Sequence, residues 1–156
     1  MFLNIAGNTC KSTISPSPQQ QSIQPNAVDI DIDVAYKIYD TIFTIDNSNN
    51  KTHRDRQKIQ CDQDGFWFFV PGVYEFSSTF NVQIAEQECG WLITRSTFVR
   101  NGCFVTSGLY DSGYNGIIGG VLHVCGGPVK IQRHSRIAQF VLTDSESVGL
   151  YSGNYH

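Results

Sequence analysis

The fold class is predicted most directly by residues 74–84, which read YEFSSTFNVQI. Apolar and polar side chains alternate along this stretch, and Ser78 is the one polar residue on its apolar side. An alternation with a period of two is typical of a β-strand that is buried on one face, whereas a helix would repeat its apolar positions about every 3.6 residues. Residues 74–84 are therefore predicted to form a strand that lies on a hydrophobic core.

Other apolar segments on both sides of this strand predict further strands. They are residues 91–93, 104–105, 117–124 and 137–142. Residues 117–124 are predicted to be buried, and so is the wholly apolar run 66–70, which is followed by a Pro-Gly turn. Only residues 95–100 have the pattern of a helical turn. We therefore predict an all-β fold, a compact β-barrel or a distorted jelly roll with little helix.

The composition is that of a globular protein with one domain. The chain has 156 residues, of which 40% are hydrophobic, and its formal net charge is -3. A net negative charge argues against nucleic acid or a lipid surface as the main partner. No apolar run is long enough to cross a membrane. The N-terminal residues lack a basic lead and a long apolar region, so no signal peptide is predicted.

The number and spacing of the cysteines predict whether the protein belongs to a reducing or an oxidising compartment. There are five of them, an odd number, and no two form a CxxC pair. This pattern argues against a disulfide framework and against a cysteine metal cluster. We therefore expect a protein of a reducing interior, with a cytoplasmic location.

By composition the chain divides into three parts. Residues 1–22 contain two prolines and a run of three glutamines, which predicts a flexible N-terminal arm or an edge segment. Residues 23–150 carry the predicted strands and form the β domain, and residues 151–156 form a C-terminal tail. Inside the domain, residues 46–64 are polar and charged and predict a long exposed excursion between strands.

Three carboxylates alternate with aliphatic residues in the segment 28–34, which reads VDIDIDV. A strand here places Asp29, Asp31 and Asp33 on one face. Such a face is typical of a solvent-exposed strand edge, where charge discourages aggregation. The alternative is that at least one of the carboxylates serves a bound cation.

A glycine-rich stretch at residues 106–121 reads TSGLYDSGYNGIIGGV. Three of its glycines suit tight turns: Gly108, Gly113 and Gly116. Asp111 and Tyr114 would then be held on rigid turns in front of the predicted strand 117–124. By itself the stretch is explained either by an ordinary surface turn or by a hairpin that presents an acid and an aromatic ring at the mouth of a β core.

Residues 94–100, which read TRSTFVR, form a second candidate cluster. The paired N–H groups of an arginine guanidinium match two phosphate oxygens, and hydroxyl groups can add further donors to such a phosphate site. Arg136 and Gln139 add a cation and an amide at the head of a predicted strand, and Tyr151 begins a tail of aromatic and small polar residues. Taken singly, these features are also explained by paired surface arginines, a strand cap and a frayed tail.

Together these segments resemble the superfamily of dUTPases and dCTP deaminases. The resemblance extends from residue 23 to residue 156 and rests on four motifs, at residues 23–29, 95–97, 108–116 and 136–140. The third and fourth motifs are specific, whereas the first two would be weak by themselves. The glycine-rich fifth motif of common dUTPases is missing, and the tail from Tyr151 resembles that of deaminases and of archaeal or viral relatives.

Position 121 separates the two activities of the superfamily. In the deaminase branch, a catalytic glutamate stands ten residues after the aspartate of the third motif, and in this chain that position is Val121. A valine cannot move the protons that displacement of an amine requires. Residues 95–97 followed by Arg100 are closer to the deaminase form. The resemblance therefore implies a deaminase-like scaffold with dUTPase chemistry, and the alternatives are a dCTP deaminase, a bifunctional enzyme, or a non-enzymatic trimeric structural or interaction protein.

The resemblance implies hydrolysis of dUTP to dUMP and pyrophosphate, with Mg²⁺ bound to the triphosphate. Asp111 would orient and deprotonate the attacking water and hold the sugar 3′-hydroxyl. Tyr114 would pack against the deoxyribose and leave no room for a 2′-hydroxyl. Uracil would be read mainly by backbone groups from Gly108 to Tyr110, because unpaired buried polar groups disfavour the wrong base.

The other motifs would bind the phosphates. Arg95, Ser96 and Gln139 would grip them, and Ser96 is also a candidate catalytic residue. Four further side chains are candidates for substrate binding: Thr97, Arg100, Arg136 and Tyr151. Asp29 would support the water shell of the metal or a subunit contact. Members of the superfamily are usually homotrimers with sites between subunits, so Arg95 and Asp111 would come from different chains.

Overall fold

The computed structural model of the protein describes residues 1–155, and nearly all of its regular structure is β. The strands are β1 Phe2–Leu3, β2 Thr13–Ser15, β3 Val28–Asp31, β4 Val34–Ile38, β5 Thr44–Ile45, β6 Lys51–Thr52, β7 Arg56–Ile59, β8 Phe66–Phe69, β9 Gly72–Gln83, β10 Glu88–Thr94, β11 Cys103–Thr106, β12 Asn115–Val124, β13 Val129–Gln132 and β14 Arg136–Asp144. The helix α1, Ser96–Val99, lies inside the predicted helical turn, and Gln20–Ser22 forms a 3-10 turn. The predicted all-β fold is confirmed. No helix among residues 1–155 is long and apolar enough to cross a membrane.

Two antiparallel sheets form the body of the protein. In the first sheet β14 is central, with β10 along one edge and β1 and β3 along the other. The second sheet has the order β11-β12-β9-β4-β7, and β2 also pairs with β9. The strand predicted at residues 74–84 is β9, which lies at the centre of the second sheet. Two small hairpins, β13 with β8 and β5 with β6, complete the structure.

Side chains from both sheets build one hydrophobic core. Phe140 of β14 and Phe76 of β9 are almost fully buried in it, and each contributes about 2–3 kcal/mol by leaving water. Ser78, the polar residue on the apolar side of β9, is also buried. Its hydroxyl accepts a hydrogen bond from the N–H of Phe80 at 2.8 Å. This local bond explains how a hydroxyl is accommodated inside the core.

Two strands are less buried than their sequences predict. In β8, Trp67 is buried, but Phe68 is 68% exposed because this strand pairs only with β13 and has one face towards the core. In β12, Ile117 is 52% exposed, and the pairing of β12 with β9 shifts between Ile117 and Gly119. The buried strands predicted at residues 66–70 and 117–124 are therefore present, but each is buried on one face only. The sequence of an apolar segment does not show which face of the strand is covered.

The N-terminal segment 1–22 pairs with both sheets, and the polar segment 46–64 pairs with the second sheet. In the segment 1–22, β1 pairs with β14 and β2 pairs with β9. The buried carboxylate of Glu88 accepts hydrogen bonds from the N–H groups of Lys11 and Ser12 and from the Ser12 hydroxyl. In the segment 46–64, β7 extends the second sheet by pairing with β4. Of the predicted tail, residues 151–155 are described, and His156 lies outside the described residues.

Tyr110 closes a gap in the second sheet. The pairing of β11 with β12 ends at Thr106 and Val121, and β12 has its bulge between Ile117 and Gly119. The Tyr110 hydroxyl donates to the carbonyl oxygen of Gly119 at 2.6 Å and accepts from its N–H at 2.9 Å. Burial raises the pKa of Tyr110 to about 12. The hydroxyl therefore keeps its proton at neutral pH and serves both main-chain groups.

We expect Tyr110→Phe to lower the free energy of unfolding by about 1–3 kcal/mol, because both main-chain groups of Gly119 lose their partner. The folded protein holds the Tyr110 proton more tightly than the unfolded chain does. The contribution of Tyr110 is therefore complete below the ordinary tyrosine pKa of 10.0 and is lost as the pH rises towards about 12. Urea unfolding of both proteins at neutral and at alkaline pH measures both effects. Tyr39→Phe, which removes a surface hydroxyl bonded to the Gln57 side chain, is the control, and an equal loss in the two variants would contradict the assignment.

Candidate active site

Asp29 is the centre of a buried polar cluster. Its side chain is 1% exposed, and it pairs across the sheet with Gln139 of β14. One carboxylate oxygen, Oδ1, accepts a hydrogen bond from Gln139 Nε2 at 3.1 Å. The other, Oδ2, accepts from Arg136 Nη1 and from Gln24 Nε2, both at 3.0 Å. Both oxygens of Asp29 are therefore held by donors of the same chain.

Arg95 joins this cluster from the end of β10. Its Nε lies 3.6 Å from Oδ2 of Asp29, and its Nη1 donates to the main-chain oxygen of Arg136 at 2.8 Å. The side chains of Arg95 and Arg136 are 27% and 36% exposed, so each guanidinium reaches solvent. We call Asp29, Arg95, Arg136 and Gln139 the arginine cluster. Two permanent cations around one carboxylate leave a net positive, donor-rich surface that suits phosphate oxygens.

The three carboxylates of segment 28–34 do not form the predicted solvent-facing row. Asp31 is buried, and its Oδ1 accepts hydrogen bonds from the N–H and the hydroxyl of Thr79 at 3.0 Å. Asp33 lies between β3 and β4 and binds Arg133 at 2.8 Å and His134 at 2.9 Å. Burial would raise the pKa of Asp33, but the hydrogen bonds from His134 and Arg133 outweigh it, and this pKa is lowered. The strand-edge interpretation was therefore wrong, since these carboxylates anchor neighbouring elements.

The other residues of the second motif lie beside the arginine cluster. Ser96 and Thr97 begin α1 immediately after Arg95, and Arg100 follows its last residue. All three side chains are exposed. Thr97 lines the same open cavity of about 570 Å³ as Arg95 and Arg136. The structure therefore brings two of the four predicted motifs, the second and the fourth, together around Asp29 of the first.

Asp111 lies on a turn that we call the aspartate turn (residues 108–114). The N–H and carbonyl groups of Tyr110 pair with those of Gly90, at 2.7 and 3.0 Å, which fixes the turn to β10. Gly113 has a φ of 87°, in the left-handed region that favours glycine. The Asp111 carboxylate is exposed, and no side chain among residues 1–155 donates a hydrogen bond to it. Its oxygen atoms are therefore open to solvent.

The pairing of Tyr110 with Gly90 reduces the number of main-chain groups that could read uracil. Uracil readout was expected from backbone groups between Gly108 and Tyr110, but both main-chain groups of Tyr110 are already used by Gly90. The Gly108 carbonyl oxygen accepts from the Ser107 hydroxyl at 2.8 Å. The Tyr110 ring packs edge-on against Tyr114, with ring centroids 5.1 Å apart. Of the main-chain groups predicted to read uracil, those of Tyr110 are therefore already paired within the chain.

Tyr114 is nearly enclosed. Its side chain is 7% exposed, and its hydroxyl donates to the carbonyl oxygen of Ile117 at 2.8 Å. Burial raises the pKa of its hydroxyl. The ring of Tyr151 packs edge-on against it at 5.5 Å between centroids. Tyr114, the residue predicted to contact the sugar, is therefore in contact with Tyr151, which is another predicted substrate contact.

Ser112 is a residue of the site that the sequence analysis missed. Its buried hydroxyl donates to the main-chain oxygen of Glu88 at 2.6 Å and bonds to the Ser147 hydroxyl at 2.6 Å. Its carbonyl oxygen accepts from the N–H of Tyr151 at 2.7 Å. Ser112 therefore joins the aspartate turn to the C-terminal segment (residues 145–155). Its position immediately after Asp111 was the one signal in the sequence, because the long-range partners are invisible there.

The arginine cluster and the aspartate turn lie at opposite ends of β10 within one chain. Tyr110 pairs with Gly90 near the start of β10, whereas Arg95 directly follows its last residue, Thr94. At the usual rise per residue of a strand, Gly90 and Arg95 are about 17 Å apart. Asp111 is therefore not beside the arginines of its own chain.

Position 121 carries no acid in this fold. Val121 is half-buried on β12, where its register partners are Thr106 on β11 and Glu75 on β9. Glu75 is the carboxylate directly across the sheet, but it forms an ion pair with Arg56. The cross-strand neighbour therefore does not replace the missing glutamate of the deaminase branch.

The described residues do not form a separate metal centre. Among residues 1–155 no group of three or more His, Cys, Asp or Glu side chains is placed to hold a metal ion. Asp29, the predicted indirect metal contact, uses both oxygens for Gln139, Arg136 and Gln24. The carboxylates among residues 1–155 therefore do not form a protein-built Mg²⁺ cage.

Comparison with known proteins places the chain in a family. The sequence profile of the dCTP deaminase-like family matches residues 6–145. A probable deoxyuridine 5'-triphosphate nucleotidohydrolase of Halobacterium salinarum is 32% identical over 138 residues, which is 85% of this chain and 82% of that protein. The deoxyuridine 5'-triphosphate nucleotidohydrolase of Methanocaldococcus jannaschii is 27% identical over 153 residues and 97% of both chains.

Solved structures support the fold. The 2'-deoxycytidine 5'-triphosphate deaminase of Agrobacterium tumefaciens superposes with a TM-score of 0.62 at 15% identity, over 85% of this chain and 43% of that one. A mutant dUTPase of Staphylococcus bacteriophage 80alpha superposes with a TM-score of 0.58 at 13% identity, over 94% and 97%. The chain therefore belongs to the dCTP deaminase-like family, within the superfamily of dUTPases and dCTP deaminases.

Proposed function

We propose that this protein is a dUTP diphosphatase, which hydrolyses dUTP to dUMP and pyrophosphate. The observation that carries the choice of reaction is an exposed Asp111 carboxylate on a fixed turn, without a side-chain donor among residues 1–155, in a fold whose position 121 offers no acid. The archaeal relatives named as deoxyuridine 5'-triphosphate nucleotidohydrolases support the same reaction, because they match most of the chain.

The arginine cluster would hold the triphosphate. The substrate carries about four negative charges, and phosphoryl transfer depends mainly on positioning and on electrostatic stabilisation of such charge. Arg95 and Arg136 offer N–H donors, and Gln139 adds an amide. Ser96 would donate its hydroxyl to a phosphate oxygen next to them, with Thr97 and Arg100 as further contacts at the edge of the site. Asp29 acts as a positioning residue, since it orients the two guanidinium groups.

Asp111 would activate the nucleophile. Its carboxylate would accept a proton from a water molecule while the water oxygen forms a bond to the α-phosphorus. The bond from the α-phosphorus to the bridging oxygen breaks in line, and pyrophosphate leaves with the electron pair. The same carboxylate would accept a hydrogen bond from the sugar 3′-hydroxyl, and Tyr114 would contact the deoxyribose where a 2′-hydroxyl has no room.

A Mg²⁺ ion would enter on the triphosphate. This ion commonly takes its ligands from substrate phosphates, water and one or two carboxylates rather than from a cage of protein groups. This ligand preference agrees with the absence of a cluster of three or more metal-binding side chains among residues 1–155. When bound, the ion neutralises phosphate charge, while the arginines of the cluster orient the chain of phosphates.

We further propose a homotrimer with sites between subunits. Phe2, Trp91 and Ile93 line an exposed groove that also includes Gln139 of the arginine cluster. Phe2 is 64% exposed, and its ring lies 6.2 Å from that of Trp91. Contiguous apolar surface of this kind is typical of an interaction site. A second copy that covers the groove would bring its aspartate turn to the arginine cluster, which the separation along β10 prevents within one chain.

The proposed reaction is tested by product analysis. The protein is incubated with Mg²⁺ and, separately, with dUTP, dCTP or dTTP. Pyrophosphate and dUMP are expected from dUTP. Release of ammonia from dCTP would contradict the choice of branch. A protein that neither hydrolyses dUTP nor binds a non-hydrolysable dUTP analogue would have a structural role instead.

Mixed oligomers test the shared site. Arg95→Gln and Asp111→Asn are each expected to inactivate the enzyme, since one weakens phosphate binding and the other removes the base. After the two variants are mixed and reassembled, about a quarter of the sites in a ring of randomly mixed subunits should contain both native residues. Activity of the mixture measures this. Recovery should be absent if Arg95 and Asp111 of one site come from the same chain.

A further inference from the structure

The β5–β6 hairpin contacts the C-terminal segment. Lys51 begins β6, and its Nζ lies 5.4 Å from the centroid of the Tyr155 ring and 3.5 Å from the Tyr155 hydroxyl. An ammonium group at this distance over an aromatic ring makes a cation–π contact. This hairpin includes the first residues of the polar excursion predicted at residues 46–64. That excursion therefore contacts the C-terminal segment.

Tyr155 is tied in turn to Tyr151. The Tyr151 hydroxyl donates to the main-chain oxygen of Tyr155 at 2.8 Å and accepts from its N–H at 2.9 Å. The loop between them is tight, because a Cβ atom on Gly153 would lie 2.6 Å from the Tyr151 hydroxyl. A side chain at position 153 would therefore push Tyr151 aside. The Tyr151 hydroxyl thus joins residues 151–155 into one compact turn.

Tyr151 covers the proposed sugar platform. Its ring is in edge contact with Tyr114, at 5.5 Å between centroids, and its N–H is bonded to Ser112. A deoxyribose cannot lie between two rings at this separation. Substrate that packs against Tyr114 therefore requires Tyr151 to move, and movement of Tyr151 disturbs the contact between Tyr155 and Lys51.

We propose that Lys51 is a positioning residue that holds the C-terminal segment over Tyr114 when substrate is absent. This proposal rests on the proposed function, which gives Tyr114 its contact with the sugar. Binding then selects the molecules in which the segment is open, and the apparent affinity falls by the fraction that is closed. Loss of one exposed cation–π contact changes such an equilibrium by about 2- to 5-fold.

The test is Lys51→Met, which keeps the length of the side chain and removes its charge. In the substrate-free protein, amide hydrogen exchange in residues 148–155 should become about 2- to 5-fold faster. KM for dUTP should fall by about the same factor, with kcat unchanged. Lys51→Arg keeps the cation and should resemble the wild type. Lys58→Met, on strand β7 of the second sheet, is the matched control for loss of a surface charge.

Each measurement can overturn a different part of the proposal. Unchanged exchange in Lys51→Met would show that Lys51 does not hold the segment, whatever the activity. Faster exchange with an unchanged or higher KM would show that the covering of Tyr114 does not oppose binding. If the wild-type protein does not hydrolyse dUTP, the proposed function fails, and the exchange comparison alone still decides whether Lys51 holds the segment.

Discussion

Asp111→Asn is expected to reduce the release of pyrophosphate from dUTP by about 10²- to 10⁴-fold, the usual contribution of a positioned general base. The amide keeps the size of the side chain and its hydrogen bond to a sugar hydroxyl, but it cannot accept the proton of the attacking water. The loss should therefore lie in kcat. A coupled assay for pyrophosphate at saturating dUTP measures it.

Glu146→Gln is the matched control for Asp111→Asn. Glu146 is exposed and lines the same open cavity as Asp111. Removal of its charge should leave kcat near the wild-type value. Binding of a non-hydrolysable dUTP analogue should survive in both variants. Similar activities for Asp111→Asn and the wild type would show that another group activates the water.

Asp29→Asn is expected to have the second largest effect, on stability and on substrate binding together. Removal of one partner from a buried ion pair typically costs about 3 kcal/mol or more, because the remaining charges are left without compensation. For a chain of this size that loss corresponds to a fall in Tm of about 6–12 °C. Arg95 and Arg136 also lose the carboxylate that orients them, so KM for dUTP should rise about tenfold. Thermal unfolding and steady-state kinetics measure the two effects.

Asp64→Asn is the control for the loss of one carboxylate. Asp64 is exposed, and its carboxylate has no ion pair among the described residues. Tm and KM should change little. A stable Asp29→Asn protein with a normal KM would show that the arginine cluster keeps its geometry without the carboxylate. Asp29 would then be a core residue and not a positioning residue.

Several candidate site residues could be named from the sequence because their chemistry is carried by short motifs. Arg95, Arg136 and Gln139 are close together in the structure, although the sequence separates the first from the other two by about forty residues. Asp111 and Tyr114 lie on a fixed turn, as their flanking glycines predict. The choice of these residues as site candidates rests on the resemblance of their motifs to the superfamily, whereas their placement on turns and at strand ends follows from residue types and local spacing.

Other features could not be predicted because they depend on contacts between distant segments. The burial of Asp29 follows from the packing of Arg136, Gln139 and Gln24 over it, and its own segment reads as an exposed edge. Ser112 has an ordinary turn sequence, and its role comes from Glu88 and Ser147. In the same way, the exposure of Phe68 depends on which strands pair with β8 and on nothing in its own segment.

By itself, the sequence determined the all-β class, the residues that could carry the chemistry, and the absence of a glutamate at position 121. These follow from alternation, motif spacing and residue identity, all of which are local. Only the tertiary structure decided that Asp29 is a buried anchor, that Asp111 lies at the opposite end of β10 from Arg95, and that Tyr151 covers Tyr114. The physical reason is that burial and distance are set by the pairing of strands far apart in the chain, which no single segment encodes.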